Sequence, residues 1–175
     1  MTRSGILVGG MLLAASVLVG PVVRAEEGET GKHYELAELM ERAKVSLAQG
    51  LTASAAQGTP ISGKFEVENG TLQLSVYTMK GDQFSEVMID HQTGTVVKVE
   101  PITAGEDLTA ARAQSAAMAT AKGSLGAAVD QAVKATPGFA AVSVTPSRKD
   151  GRPVADVTLI NDEGEELKTV SEPLS

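Results

Sequence analysis

The sequence predicts an α+β protein of two tandem units, each a helix packed on an antiparallel sheet of three to four strands. Three observations lead there. The apolar spacing changes from three-and-four to two, and does so twice along the 175 residues. Short Gly-containing turn sequences separate the period-two runs. An octapeptide also recurs 78 positions apart, MERAKVSL at 40–47 and MATAKGSL at 118–125. The two copies share Met40/Met118, Ala43/Ala121, Lys44/Lys122, Ser46/Ser124 and Leu47/Leu125.

Residues 1–25 stand apart from the predicted fold. Arg3 precedes an apolar run, Gly5 to Val19, which Gly20-Pro21 breaks before Val23-Arg24-Ala25. This is the pattern of a Sec signal peptide cut after Ala25. The run is shorter than the roughly 20 residues that a comfortable membrane span needs. With no cysteine in the chain, lipid attachment at a cysteine is excluded. Residues 26–33 are polar and Gly-containing and predict a loose arm.

The first unit is expected at 34–102. Leu36, Leu39, Met40, Ala43, Leu47 and Leu51 fall at helical spacing over Tyr34 to Gln57, and Gly58 and Pro60 stop that helix. In the strand that follows, Ile61, Gly63, Phe65 and Val67 share one face, and Lys64, Glu66 and Glu68 take the other. Asn69-Gly70 tolerates positive φ at both central positions of a tight hairpin turn. Leu72, Leu74 and Val76 continue the core face, Lys80-Gly81-Asp82 turns again, and Val87 and Ile89 point inward from the third strand. Asp90 to Gly94 forms a turn, Thr95 to Glu100 a last short strand, and Pro101 ends the unit.

The second unit is expected at 105–175. An Ala-rich helix begins at Gly105, with Glu106 and Asp107 at its positive end. Gly123 and Gly126 split or bend it, and Pro137-Gly138 stops it. Strands follow over Phe139 to Ser147, Pro153 to Ile160 and Glu165 to Leu174, with turns at Lys149-Asp150-Gly151 and Asn161 to Gly164. The repeated octapeptide thus marks the equivalent helix in each unit, with Met, Ala and Leu on its buried stripe.

Composition limits function. The chain carries a formal charge of −7, and removal of Arg3 and Arg24 with the leader takes it to −9. That balance argues against a nucleic-acid partner, whose phosphates need a basic surface. The only expected membrane contact is through the signal sequence before cleavage. Three Phe, two Tyr and no Trp require an aliphatic core.

Catalytic chemistry is not visible. His33 and His91 lack a second ligand at metal spacing. Ser46 and Ser124 follow a Lys by two residues, which puts the pair on different sides of a helix. No metallopeptidase, nucleophile-elbow or phosphate-loop motif occurs, so the expectation is a non-enzyme without cofactors. Asp90 and Gly94 suit backbone roles: an Asp side chain caps amides of its own turn, and Gly takes positive φ. One feature points outward. If Leu74 and Val76 face the helix, Tyr77 and Met79 face away, and Met88 and Phe84 on the next strand join them. Such a group needs a cover, either the rest of the chain or a partner protein.

Residues Ala43 to Glu100 resemble the PepSY domain. The resemblance rests on the AKVSL helix, the strand–turn-Gly–strand–turn-Gly series, and the ending Ile89-Asp90-His91-Gln92-Thr93-Gly94-Thr95-Val96. Ala121 to Leu174 is similar to the same domain, without the D-x-x-T-G ending. The resemblance implies a helix on an antiparallel sheet, export in a bacterium, and modulation, inhibition included, of an extracytoplasmic peptidase or other envelope protein on a separate chain. The alternative is a periplasmic module binding a small ligand or a cation.

Overall fold

The computed structural model describes the backbone over residues 23–175 and side-chain surroundings from Gly31 onward. The signal-peptide reading therefore lies almost wholly outside the described residues. Helices α1 (Val23–Met40) and α2 (Leu47–Ser54) lead into β1 (Thr59–Glu68), β2 (Thr71–Lys80), β3 (Gln83–Ile89) and β4 (Val96–Ile102). Helices α3 (Gly105–Met118) and α4 (Leu125–Ala135) precede β5 (Phe139–Lys149), β6 (Arg152–Asn161) and β7 (Leu167–Pro173). The class is α+β, as the alternating periods require.

The strands do not form one sheet per unit. They make a single antiparallel sheet of seven in the order β4-β3-β2-β1-β5-β6-β7. The join is β1 to β5, where Gly63 pairs with Val144. Left apart, each half would leave its first strand as an open edge, and pairing the two removes both edges.

The halves correspond at a shift of 81 residues. Phe65↔Leu74 in the first hairpin matches Pro146↔Ala155 in the second, and the bulge between Pro60 and Ser62 matches that between Ala141 and Ser143. Both hairpin turns hold positive φ at both residues, Asn69 (50°) and Gly70 (73°) against Asp150 (50°) and Gly151 (75°). Gly63 and Val144 are themselves counterparts at this shift, so their antiparallel pairing is a local two-fold relation.

Helices α2 and α4 pack on one face and share a core with it. Leu47, Leu51, Leu125 and Val129 are buried with Leu74, Val76, Val144 and Val157. Two glycines allow the close approach. A Cβ on Gly50 would lie 2.7 Å from Leu74, and one on Gly63 would lie 3.1 Å from Leu51. The core is aliphatic, with Phe65 as a buried aromatic ring.

The helices correct two sequence expectations and decide a third. The predicted helix Tyr34–Gln57 breaks after Met40. The second long helix is split rather than bent, and Gly123 lies in the break between Met118 and Leu125. Gly126 lies inside α4. The octapeptide therefore spans a helix–break–helix junction in both halves. Met closes the first helix, Ser caps the second, and Leu begins it. Ser46 Oγ accepts from the Gln49 amide at 3.2 Å while the Gln49 side chain accepts from the Ser46 amide at 2.8 Å, a reciprocal capping box. Ser124 Oγ accepts from the Ala127 amide at 3.2 Å. The second correction is residues 26–33, which belong to α1 rather than to an irregular arm.

A strand end fixes each break. The amides of Lys44 and Val45 donate to the His91 carbonyl at 2.9 and 3.1 Å. The amides of Lys122 and Gly123 donate to the Leu174 carbonyl at 2.7 and 3.1 Å. Amides that a continuous helix would bond internally are spent on one distant carbonyl in each half, which is why helical periodicity does not become helix here.

Helices α1 and α3 each cross to the other half. Ala37 of α1 packs with Val142 and Ile160. Gln114 of α3 accepts from Ser62 Oγ at 2.9 Å. Ser62 pairs with Tyr77 next to the Gly63–Val76 pair that faces α2, so α3 lies on the opposite side of the sheet.

Leu47 and Leu125 retain only 1% and 2% exposure at the starts of α2 and α4. Leu47→Ala and Leu125→Ala are each expected to cost about 2–5 kcal/mol, measured by urea unfolding. A silent substitution at either position would show that the two helix starts are not equivalent core positions.

Candidate functional site

The sharpest local motif, Asp90 to Gly94, is a latch. One Asp90 carboxylate oxygen accepts from the amides of Gln92 (2.7 Å) and Thr93 (3.1 Å). The Asp90 amide donates to the Thr95 carbonyl at 2.9 Å, and the Gly94 amide to the Asp90 carbonyl at 2.8 Å. Gly94 has φ 75°, and a Cβ there would touch Val45 at 3.5 Å. The Gln92 side chain donates to the Arg42 carbonyl. The turn thus presents the His91 carbonyl to the α1–α2 break. Amide donation to its carboxylate holds Asp90 below its usual pKa. The second half needs no such turn, because the strand end at Leu174 supplies the same carbonyl.

The four outward residues of β2 and β3, Tyr77, Met79, Phe84 and Met88, are all half-buried. Helix α3 accounts for two of them. Tyr77 OH donates to an Asp107 carboxylate oxygen at 2.8 Å, and Ser115 Oγ donates to the Met79 sulfur at 2.8 Å. Burial, reinforced by Asp107, pushes the Tyr77 hydroxyl pKa up, so it stays a proton donor. Phe84 pairs with Met79 and with Ile102 of β4, and Met88 pairs with Ser75 and Lys98. Of the two covers that the sequence left open, the rest of the chain supplies part: Tyr77 and Met79 bond to residues of α3.

Two other features are more accessible. The first is β4, read from the sequence as a short strand over Thr95 to Glu100; it is an end strand of the sheet and extends through Pro101 to Ile102. Its Val97 and Val99 are 64% and 41% exposed. The second is a cleft of about 560 Å³ where the starts of β1 and α4 meet the ends of α2 and α3. Leu51, Ile61, Met79, Met118 and Leu125 line it, with Lys122 at the α4 side. A signal for it was present in the octapeptides. At the shift of 78 residues, Gly123 and Gly126 stand where the first junction has Val45 and Ala48.

Among the described residues, no group of three or more His, Asp or Glu is arranged to hold a metal ion. No described helix is long and apolar enough to cross a membrane.

No family model matches the chain, and no curated protein matches its sequence. A solved structure of a candidate lipoprotein from Clostridium difficile 630 aligns at a TM-score of 0.40 with 12% identity, covering 74% of this chain and 95% of the other.

Gly94→Val is expected to cost about 1–3 kcal/mol, because a β-branched residue is strained at positive φ. Thermal melts at one pH test it, and an unchanged midpoint would contradict the turn geometry. Asp90 gives a pH signature. Its folded pKa is depressed, so its stabilising effect is complete above the unfolded carboxyl pKa of about 4 and is lost as pH falls through the folded value. The stability difference between wild type and Asp90→Asn should therefore shrink as pH drops below about 4. Melting series from acid to neutral pH would check this, and a difference that stays constant would refute it.

Proposed function

We propose that this chain is an exported, non-catalytic protein of two PepSY-like units that binds an envelope protein, an exported peptidase being the favoured class. The observation that carries the proposal is the exposed apolar end strand. Soluble proteins usually blunt such an edge with charge or proline, and β4 does so only in part, with Lys98, Glu100 and Pro101 beside two exposed valines. An extended segment of a partner can add to such an edge through main-chain hydrogen bonds, with valine contacts supplying selectivity. The half-buried Met88 on β3 borders this region through its pairing with Lys98.

Several features support duplication of one unit: the shared register, the matched bulges, and the paired amide–carbonyl clamps. The resemblance of Ala43–Glu100 to PepSY supports a peptidase as the partner class and the envelope as the location. A signal segment at 1–25 accords with export.

Immobilised chain exposed to envelope extract should retain and inhibit a peptidase activity. Val97→Lys combined with Val99→Lys should weaken retention at least about tenfold, or about 1.4 kcal/mol, with little change in melting temperature because both side chains are exposed. Failure of the wild-type chain to inhibit any envelope peptidase would remove the peptidase assignment. Undiminished retention by the double variant would remove β4 as the surface.

A further inference from the structure

We infer that the cleft between α2, α3 and the start of α4 is a binding site for an amphiphile with an aliphatic chain and an anionic head. This is separate from the partner surface and uses different residues. The volume, about 560 Å³, falls within the range of about 300–1,000 Å³ typical of small-molecule sites. Leu51, Ile61 and Leu125 are almost fully buried and form its floor, while the methionines Met79 and Met118 supply adaptable walls.

Charge selects the head group. The chain has 22 acidic residues against 15 basic, yet among the described residues no acidic side chain lines this cleft and one cation does, Lys122. Among the described residues, Lys122 makes no ion pair, and its side chain is exposed beside the cleft. The carbonyls at the ends of α2 and α3 are in part satisfied within the chain. The Ser54 hydroxyl donates to the Leu51 carbonyl, Arg148 donates to the Ala116 carbonyl, and the Ala121 amide donates to the Met118 carbonyl. An anionic head at Lys122 leaves the chain over the apolar floor.

Glycine keeps the site open. A Cβ on Gly126 would meet nothing within 4 Å, although the residue is in the first turn of α4. The corresponding position of the first half is Ala48, which is buried in the core. A helical glycine is otherwise unfavourable relative to alanine. Its presence at an open position lining the cleft is explained by the space it leaves.

The test uses the full chain expressed with its own leader and purified as the cell processes it. Calorimetric titration with decanoate should show one molecule bound per chain, and decyltrimethylammonium should bind at least about tenfold more weakly. Gly126→Leu should weaken decanoate at least about tenfold without lowering the melting temperature, since leucine favours the helix. Lys122→Gln should remove the preference for decanoate over decanol. Amide NMR shifts on decanoate addition should centre on residues 122–127, which locates the site in the wild-type chain even if a variant folds poorly. Absence of decanoate binding, equal binding of the cationic amphiphile, or shifts centred elsewhere would overturn the assignment.

Discussion

The pairing of β1 with β5 is the constraint on which the remaining architecture depends. Each half alone would be a three- or four-stranded sheet with one short helix on its inner face. Eight residues of α2 are too few to be stable without packing. Joining the halves sets α2 beside α4 over a single aliphatic core, so each short helix is buried by the other as well as by the sheet. Gly63 at the join has no side chain of its own, and Leu47 and Leu51 occupy the space above it.

The second constraint is the pair of clamps at the helix breaks. A single carbonyl at the end of the third strand of each half accepts two successive amides from the break. In the first half that strand runs into a D-x-x-T-G turn and continues to β4; in the second it ends at Pro173, and Leu174 just beyond it supplies the carbonyl. The same backbone requirement is met by different sequences. The Asp90 turn is thus a means of presenting a carbonyl and then redirecting the chain to a further strand.

Helices α1 and α3 lock the halves in a different way. Each packs against strands of both halves. This packing covers part of the apolar surface around Tyr77 and Met79, and it moves the candidate contact surface outward to β4. Where the chain passes from α3 to α4 on the inner face, the junction leaves the apolar cleft. The junction between α1 and α2 carries Val45 and Ala48 at the positions of Gly123 and Gly126. Near-identical backbones therefore present different surfaces.

The sequence by itself determined the strands, their turns and their inward faces. Leu72, Leu74, Val76, Val87 and Ile89 were legible as core because strand alternation is local and the turn residues that punctuate it act within a few positions. Asp90 and Gly94 were legible as turn chemistry for the same reason. The break in the first helix was not, although Gly123 and Gly126 marked the second helix for a split or a bend. Met40 to Leu47 keeps helical spacing, and the carbonyl that interrupts it belongs to His91, far along the chain. The union of the two half-sheets, the cover that α3 places over Tyr77, and the cleft beside Lys122 were equally hidden. Each depends on groups brought together by long-range pairing, and no local pattern encodes where another strand's carbonyl or another half's helix will lie.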